Sequence, residues 1–143
     1  HIIMKKIFLV LFSALSIFAT SCDNEMTIPQ EQLPAKSQQF LNQYFADIEI
    51  SYILADHNSY DVKLSNGYEV EFHKNGNWKE VDCKMDAIPT GFAPQAIYDY
   101  VTANFPTNFI TKISHNCHGY DVELNNDLDL DFDKNGNFKR IDD

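Results

Sequence analysis

The chain has 143 residues, 44% of them hydrophobic, and its 11 basic and 21 acidic residues give a net charge of −10. That length holds one compact domain or two very small ones. The acidic balance repels phosphate backbones and excludes nucleic acid as a partner, while basic protein surfaces and divalent cations stay compatible.

Met4-Lys5-Lys6 and the apolar run from Ile7 to Ala19 read as a leader, charged first and then hydrophobic, too short to cross a bilayer as a helix. His1, Ile2 and Ile3 precede its expected start. In Ala19-Thr20-Ser21-Cys22, small residues stand directly before a cysteine, which resembles the lipobox of bacterial lipoproteins. That resemblance implies a signal peptide over 1–21, cut before Cys22, with lipid attached to Cys22. An ordinary secretory leader cut nearby is the alternative. The polar stretch 22–33, with Pro29, reads as a tether.

From Ile28 onward the sequence matches itself at a constant offset of 60 residues. Tyr60-Asp61-Val62-Lys63-Leu64 returns as Tyr120-Asp121-Val122-Glu123-Leu124. Asn75-Gly76-Asn77-Trp78-Lys79 returns as Asn135-Gly136-Asn137-Phe138-Lys139. The expected units are 28–83 and 88–143. In the first, Pro34 opens a helix to about Ala46, with Phe40, Leu41, Tyr44, Phe45 and Ile48 at helical spacing. Four strands follow, at about Ile50–Ala55, Tyr60–Ser65, Tyr68–Lys74 and Asn77–Cys83. Tyr68-Glu69-Val70-Glu71-Phe72 alternates with period two, and Asn66-Gly67 and Asn75-Gly76 are hairpin signals. The second helix is expected over Pro94 to Asn104. The fold class is therefore α+β: a two-layer tandem repeat of a helix plus a four-stranded antiparallel meander. The helices cover the apolar sheet face and leave the other face open and acidic.

The leader, the two helix-plus-meander units, the Tyr-Asp-Val-x-Leu strand and the Asn-Gly-Asn-aromatic-Lys hairpin together resemble the PepSY-like periplasmic proteins of Gram-negative bacteria. The resemblance covers residues 28–143. It implies a fold similar to the beta-lactamase inhibitory protein, a cell-envelope location, and a binding or inhibitory role. It brings no catalytic residues, and shared fold does not transmit function.

Several constellations bear on chemistry. Asp131-Phe132-Asp133-Lys134-Asn135-Gly136, then Asp142, nearly spells an EF-hand loop. The alternating Asp127-Leu128-Asp129-Leu130 before it reads as a strand, so a hairpin is expected, with Asp127, Asp129, Asp131 and Asp133 on the solvent face. Weak cation binding by those four is the alternative. His115, Cys117 and His118 match no closed zinc spacing; His57 and His73 stand alone. Cys83 and Cys117 could pair in an oxidising envelope only if their Cα atoms approach within about 7 Å. The facing of Trp78 and Phe138 depends on turn register. A two-residue Asn-Gly turn puts Trp78 beside His73 on the open face; a three-residue turn pairs Phe72 with Trp78 on the helix face. No nucleophile motif, metalloprotease motif or phosphate loop occurs.

The leading expectation is a non-catalytic, lipid-anchored envelope protein, periplasmic or at the cell surface. It would bind an envelope protein or peptide through Glu69, Glu71, His73, Asp129, Asp131 and Asp133, and need no metal or cofactor. The alternative is a cation- or small-ligand-binding envelope protein, and the third reading is a hydrolase.

Overall fold

The computed structural model describes residues 25–142; the expected leader and Cys22 lie outside them. Twelve elements follow in order: strand β1 (Met26–Thr27), a 3-10 turn (Gln30–Gln32), helix α1 (Ala35–Tyr44), β2 (Ile50–Ala55), β3 (Ser59–Leu64), β4 (Glu69–His73) and β5 (Trp78–Asp82). Helix α2 (Gln95–Asn104), β6 (Ile110–Asn116), β7 (Gly119–Leu124), β8 (Asp129–Phe132) and β9 (Phe138–Asp142) complete the chain.

The expected fold class needs correction. The molecule is mostly one nine-stranded antiparallel sheet in the order β1 to β9, with two short helices of ten residues each. It is not the expected tandem repeat of a helix plus a four-stranded meander. β5 and β6 are neighbours, with Glu80 opposite Ser114, Val81 opposite Ile113 and Asp82 opposite Lys112. The physical reason is that two meanders ending there would each leave a row of unpaired backbone N–H and C=O groups, and would leave Val81 and Ile113 uncovered. Pairing satisfies the row and removes both side chains from solvent. The stretch expected as a tether is also part of the fold from Met26 onward. β1 pairs with Ala55 and Leu54 of β2, and Leu33 is buried.

The helices lie against one sheet face. Leu41 of α1 and Ile97 and Val101 of α2 join Val62, Val70, Phe72, Val81, Ile113, Val122, Leu130 and Phe132 in one continuous core. Pro34 and Pro94 cap the two helices, where a missing N–H costs nothing. Each helix start rests on a hairpin turn. A Cβ at Gly76 would stand 2.9 Å from that of Pro34, and one at Gly136 would stand 2.8 Å from that of Pro94. Ser37 Oγ donates to the Gly76 carbonyl at 3.0 Å and is fully buried there.

The turns settle the register that was open. His73 N–H donates to Asn77 O, Gly76 N–H donates to His73 O, and Phe72 pairs with Trp78 after a bulge. Phe132 pairs with Phe138 in the same way. This is the three-residue turn closed by a left-handed glycine, at φ +96° for Gly76. The EF-hand-like run folds back as this second hairpin. Asp129 faces Asp142 across the strands, so the expected ligand positions from Asp131 to Asp142 do not converge.

Candidate functional site

The face away from the helices carries two rows of polar residues that run across the strands. In the first, Asp61, Glu71, Glu80, Ser114, Asp121, Asp131 and Arg140 are consecutive cross-strand partners from β3 to β9. In the second, Lys63, Glu69, Asp82, Lys112, Glu123, Asp129 and Asp142 follow one another likewise. Directly opposed residues on one face stand about 5 Å apart at Cβ, so like charges in a row repel. The rows exist because each strand alternates and each hairpin keeps the parity of its partners.

The two halves of this face differ in how their charge is balanced. Toward β3 to β5, lysines neutralise it. Glu69 lies 3.2 Å from both Lys63 and Lys84, and Glu71 lies 3.3 Å from Lys79. Burial pushes the Glu69 carboxyl up, but the two lysines outweigh it and hold it below the usual range. Asp61 goes the other way, raised by burial and then by Glu71. Toward β7 to β9, carboxylates crowd. Asp131 is only 9% exposed and reaches one cation, Arg140 Nε, at 3.2 Å. Its neighbour Asp121 is pushed up by burial first, then by sharing a hydrogen bond with Asp131 and by the charges of Asp131 and Asp142. A groove of about 320 Å³ runs over Glu80, Ser114, Asp121, Asp131 and Asp142. Ser114 Oγ donates to Glu80 Oε1 at 3.0 Å along it.

The sequence-derived residues are thus spread rather than gathered. Glu69, Glu71, Asp129 and Asp131 lie in the rows. Asp133 is a turn residue: its Oδ1 accepts from the backbone N–H of Asn137 and Asn135, and those bonds hold the carboxyl low. Asp127 is not on the strand face expected of it; it sits in the β7–β8 turn at φ +69°. Asp131 is nearly buried rather than solvent-facing, because Asp121 and Arg140 flank it. His73 lies at the turn end of β4, beside a hollow that also takes in Trp78 and His115. Phe138 stacks on Tyr100 of α2 at 4.4 Å. Cys83 is buried and free, its thiol pushed up to about 12 by burial, and Cys117 is exposed and free. Asp61, Glu80, Asp82, Asp121, Glu123 and Asp142 were missed as members of the site. Their signal was available in the strand alternation once hairpin register is extended across several strands.

Chemically the face offers closely spaced carboxylate acceptors, most of them half-buried along the strands. Among the described residues, no three His, Cys, Asp or Glu side chains form a metal-ligand group, and no helix there is long and apolar enough to cross a membrane.

Residues 58–140 match the family described as "putative beta-lactamase-inhibitor-like, PepSY-like". No curated protein matches the chain. Among solved structures, a "putative calcium-regulated periplasmic protein" from Bacteroides thetaiotaomicron is 38% identical, with a TM-score of 0.81 over 86% of this chain and 100% of its own. A "putative periplasmic protein of unknown function" from Bacteroides vulgatus is 35% identical, with a TM-score of 0.80 over 83% and 99%. A second "putative periplasmic protein" from Bacteroides vulgatus is 35% identical, with a TM-score of 0.81 over 86% and 100%. The matched segment runs from β3 into β9 and takes in the first row, the second row as far as Asp129, and the pairing of β5 with β6, so this chain belongs to the PepSY-like, beta-lactamase-inhibitor-like family.

Proposed function

We propose that the chain is a non-catalytic binding protein of the cell envelope whose open sheet face docks a basic protein or peptide. The observation that carries this reading is the pair of cross-strand carboxylate rows, crowded most at Asp121 and Asp131. Ionised together, those groups repel; a lysine or arginine placed between them relieves the repulsion, so the free face favours a cationic partner. The narrower form of the proposal is inhibition, in which the partner is an enzyme. Attachment to the membrane through lipid on Cys22 belongs to the same proposal, since it would hold the face at the envelope.

The test is titration of an arginine-rich peptide monitored by calorimetry. Binding should weaken steeply with salt and should fall in a variant carrying Glu80→Gln, Asp121→Asn and Asp131→Asn. Equal binding by that variant would refute the face. Replacing Cys22 with Ala should move the protein from the detergent phase to the aqueous phase. A second reading, cation binding by the same carboxylates, draws on the Bacteroides thetaiotaomicron neighbour described as calcium-regulated. A rise in melting temperature with calcium that Asp131→Asn abolishes would favour it over the first.

A further inference from the structure

We propose that the hollow at the turn end of the sheet, floored by Trp78 and His115, binds a carboxylate carried on a flat or ring-shaped body. It is separate from the carboxylate rows and does not depend on the reading given to them. The hollow holds about 650 Å³. In a chain with 21 acidic residues, not one Asp or Glu lines it.

Its floor is aromatic and held from behind. Trp78 meets Phe92 edge-on, with centroids 5.0 Å apart, and lies 5.5 Å from the His115 ring. His115 stacks on Tyr120 at 4.5 Å, nearly parallel. These contacts fix the ring planes before any ligand arrives, so stacking on them costs little ordering.

Its walls are rich in unused donors. The Trp78 indole N–H, the imidazoles of His73 and His115, and the Asn58 side chain all line the hollow and have no hydrogen-bond partner within the described residues. Asn75 and Asn77 turn their oxygens inward: Asn75 Oδ1 accepts from the Asn77 N–H, and Asn77 Oδ1 accepts from Lys36. Their amide N–H₂ groups make no hydrogen bond there. The Lys74 ammonium is fixed nearby, 4.0 Å over the Tyr60 ring and donating to the Asp56 carbonyl at 2.8 Å.

Packing alone accounts for the half-burial of Trp78. It does not account for this set of unpaired donors around an aromatic floor with no acid among them. A neutral polyol would find acceptors there, Asn58 Oδ1 and one nitrogen of each neutral imidazole, but would gain nothing from the charge of Lys74, which also lines the hollow. A cation finds no carboxylate in the lining and meets the Lys74 ammonium there. A carboxylate takes several donors at once, and a ring behind it covers the Trp78 face.

Trp78 is the single tryptophan, so one indole N–H resonance reports the site. The probes are digalacturonate and phenylacetate, each beside its neutral methyl ester; the two acids separate a saccharide source from an aromatic one. The expected result is a saturable shift of the indole resonance by at least one acid. Its methyl ester should bind about tenfold more weakly, for loss of a charge-assisted contact. Asn58→Ala, at an exposed turn position, should weaken the acid several-fold, and so should His115→Ala. The proposal is overturned if neither acid gives a saturable shift up to about 20 mM, if the esters bind as well as the acids, or if binding survives both substitutions unchanged.

Discussion

At the scale of single residues, two positions carry a measurable penalty. Asp127 holds φ +69° in the turn where Gly67 occupies the 60-residue-earlier place at φ +98°. A left-handed backbone is easier for glycine, although aspartate tolerates it better than most. Asp127→Gly should therefore raise stability by about 0.5 kcal/mol, read as a higher urea midpoint at unchanged slope. The other position is Asp121. Its folded pKa is raised by burial and by Asp131, above an unfolded value of about 3.9. Between those two values the folded state binds more protons than the unfolded one, so stability falls as pH rises through that window. The penalty is complete at neutral pH and absent near the unfolded pKa. Asp121→Asn should thus raise the melting temperature at pH 7 and do little near pH 4, while Asn116 keeps an oxygen to donate to. The change Asp131→Asn, neutral or slightly stabilising on the expectation of an exposed row, is less clean, since it also gives up the contact with Arg140.

At the scale of elements, the hairpin turns do two tasks that glycine scanning can separate. Gly67 has a positive φ and open space around its missing Cβ, whereas Gly76 has a positive φ and the start of α1 against it. Gly67→Ala should cost about 1 kcal/mol, for backbone strain alone. Gly76→Ala should cost about 2–3 kcal/mol, because Pro34 must move as well. Equal losses in chemical denaturation would show that the helix start does not depend on the turn. These turns were the most legible part of the sequence. Asn66-Gly67 and Asn75-Gly76 announce themselves locally, and so does the alternation of Tyr68 to Phe72. The pairing of β5 with β6 was not legible, since nothing local links Val81 to Ile113 across the intervening helix. β1 was missed because two residues carry no periodicity. The acidic face was half legible: β4 and β8 show their carboxylates by alternation, but the rows appear only when every register is known. The near-burial of Asp131 depends on Asp121 and Arg140, which come from two other strands.

At the scale of the whole molecule, a single sheet and a single core leave no seam at which the halves could part. Unfolding should be one transition, with Trp78 fluorescence and far-ultraviolet circular dichroism melting together. Ile113, fully buried where β6 meets β5, tests the join. Ile113→Ala should cost about 2–4 kcal/mol and lower both signals by the same amount. Two separated melting steps in that variant would show that the halves keep independent stability. Phe92 adds to the join from the other side. It packs on Phe40 and Tyr44 of α1 and on Trp78 of β5, and so closes the core where the chain crosses to its second half.

The two-residue edge strand β1 gives the molecule a mechanical property. A pull transmitted through residue 25 reaches the pairs Met26–Ala55 and Thr27–Leu54 first, and then the bond from Ile28 N–H to the Ile53 carbonyl. That ladder is short enough to part before the wide pairings behind it, while Leu33, buried just ahead of α1, acts as a stop. Tension would then pay out a segment of eight or so residues, roughly 25 Å of slack at full extension. The rest of the sheet would stay loaded but intact, so under such a pull β1 would act as a fuse.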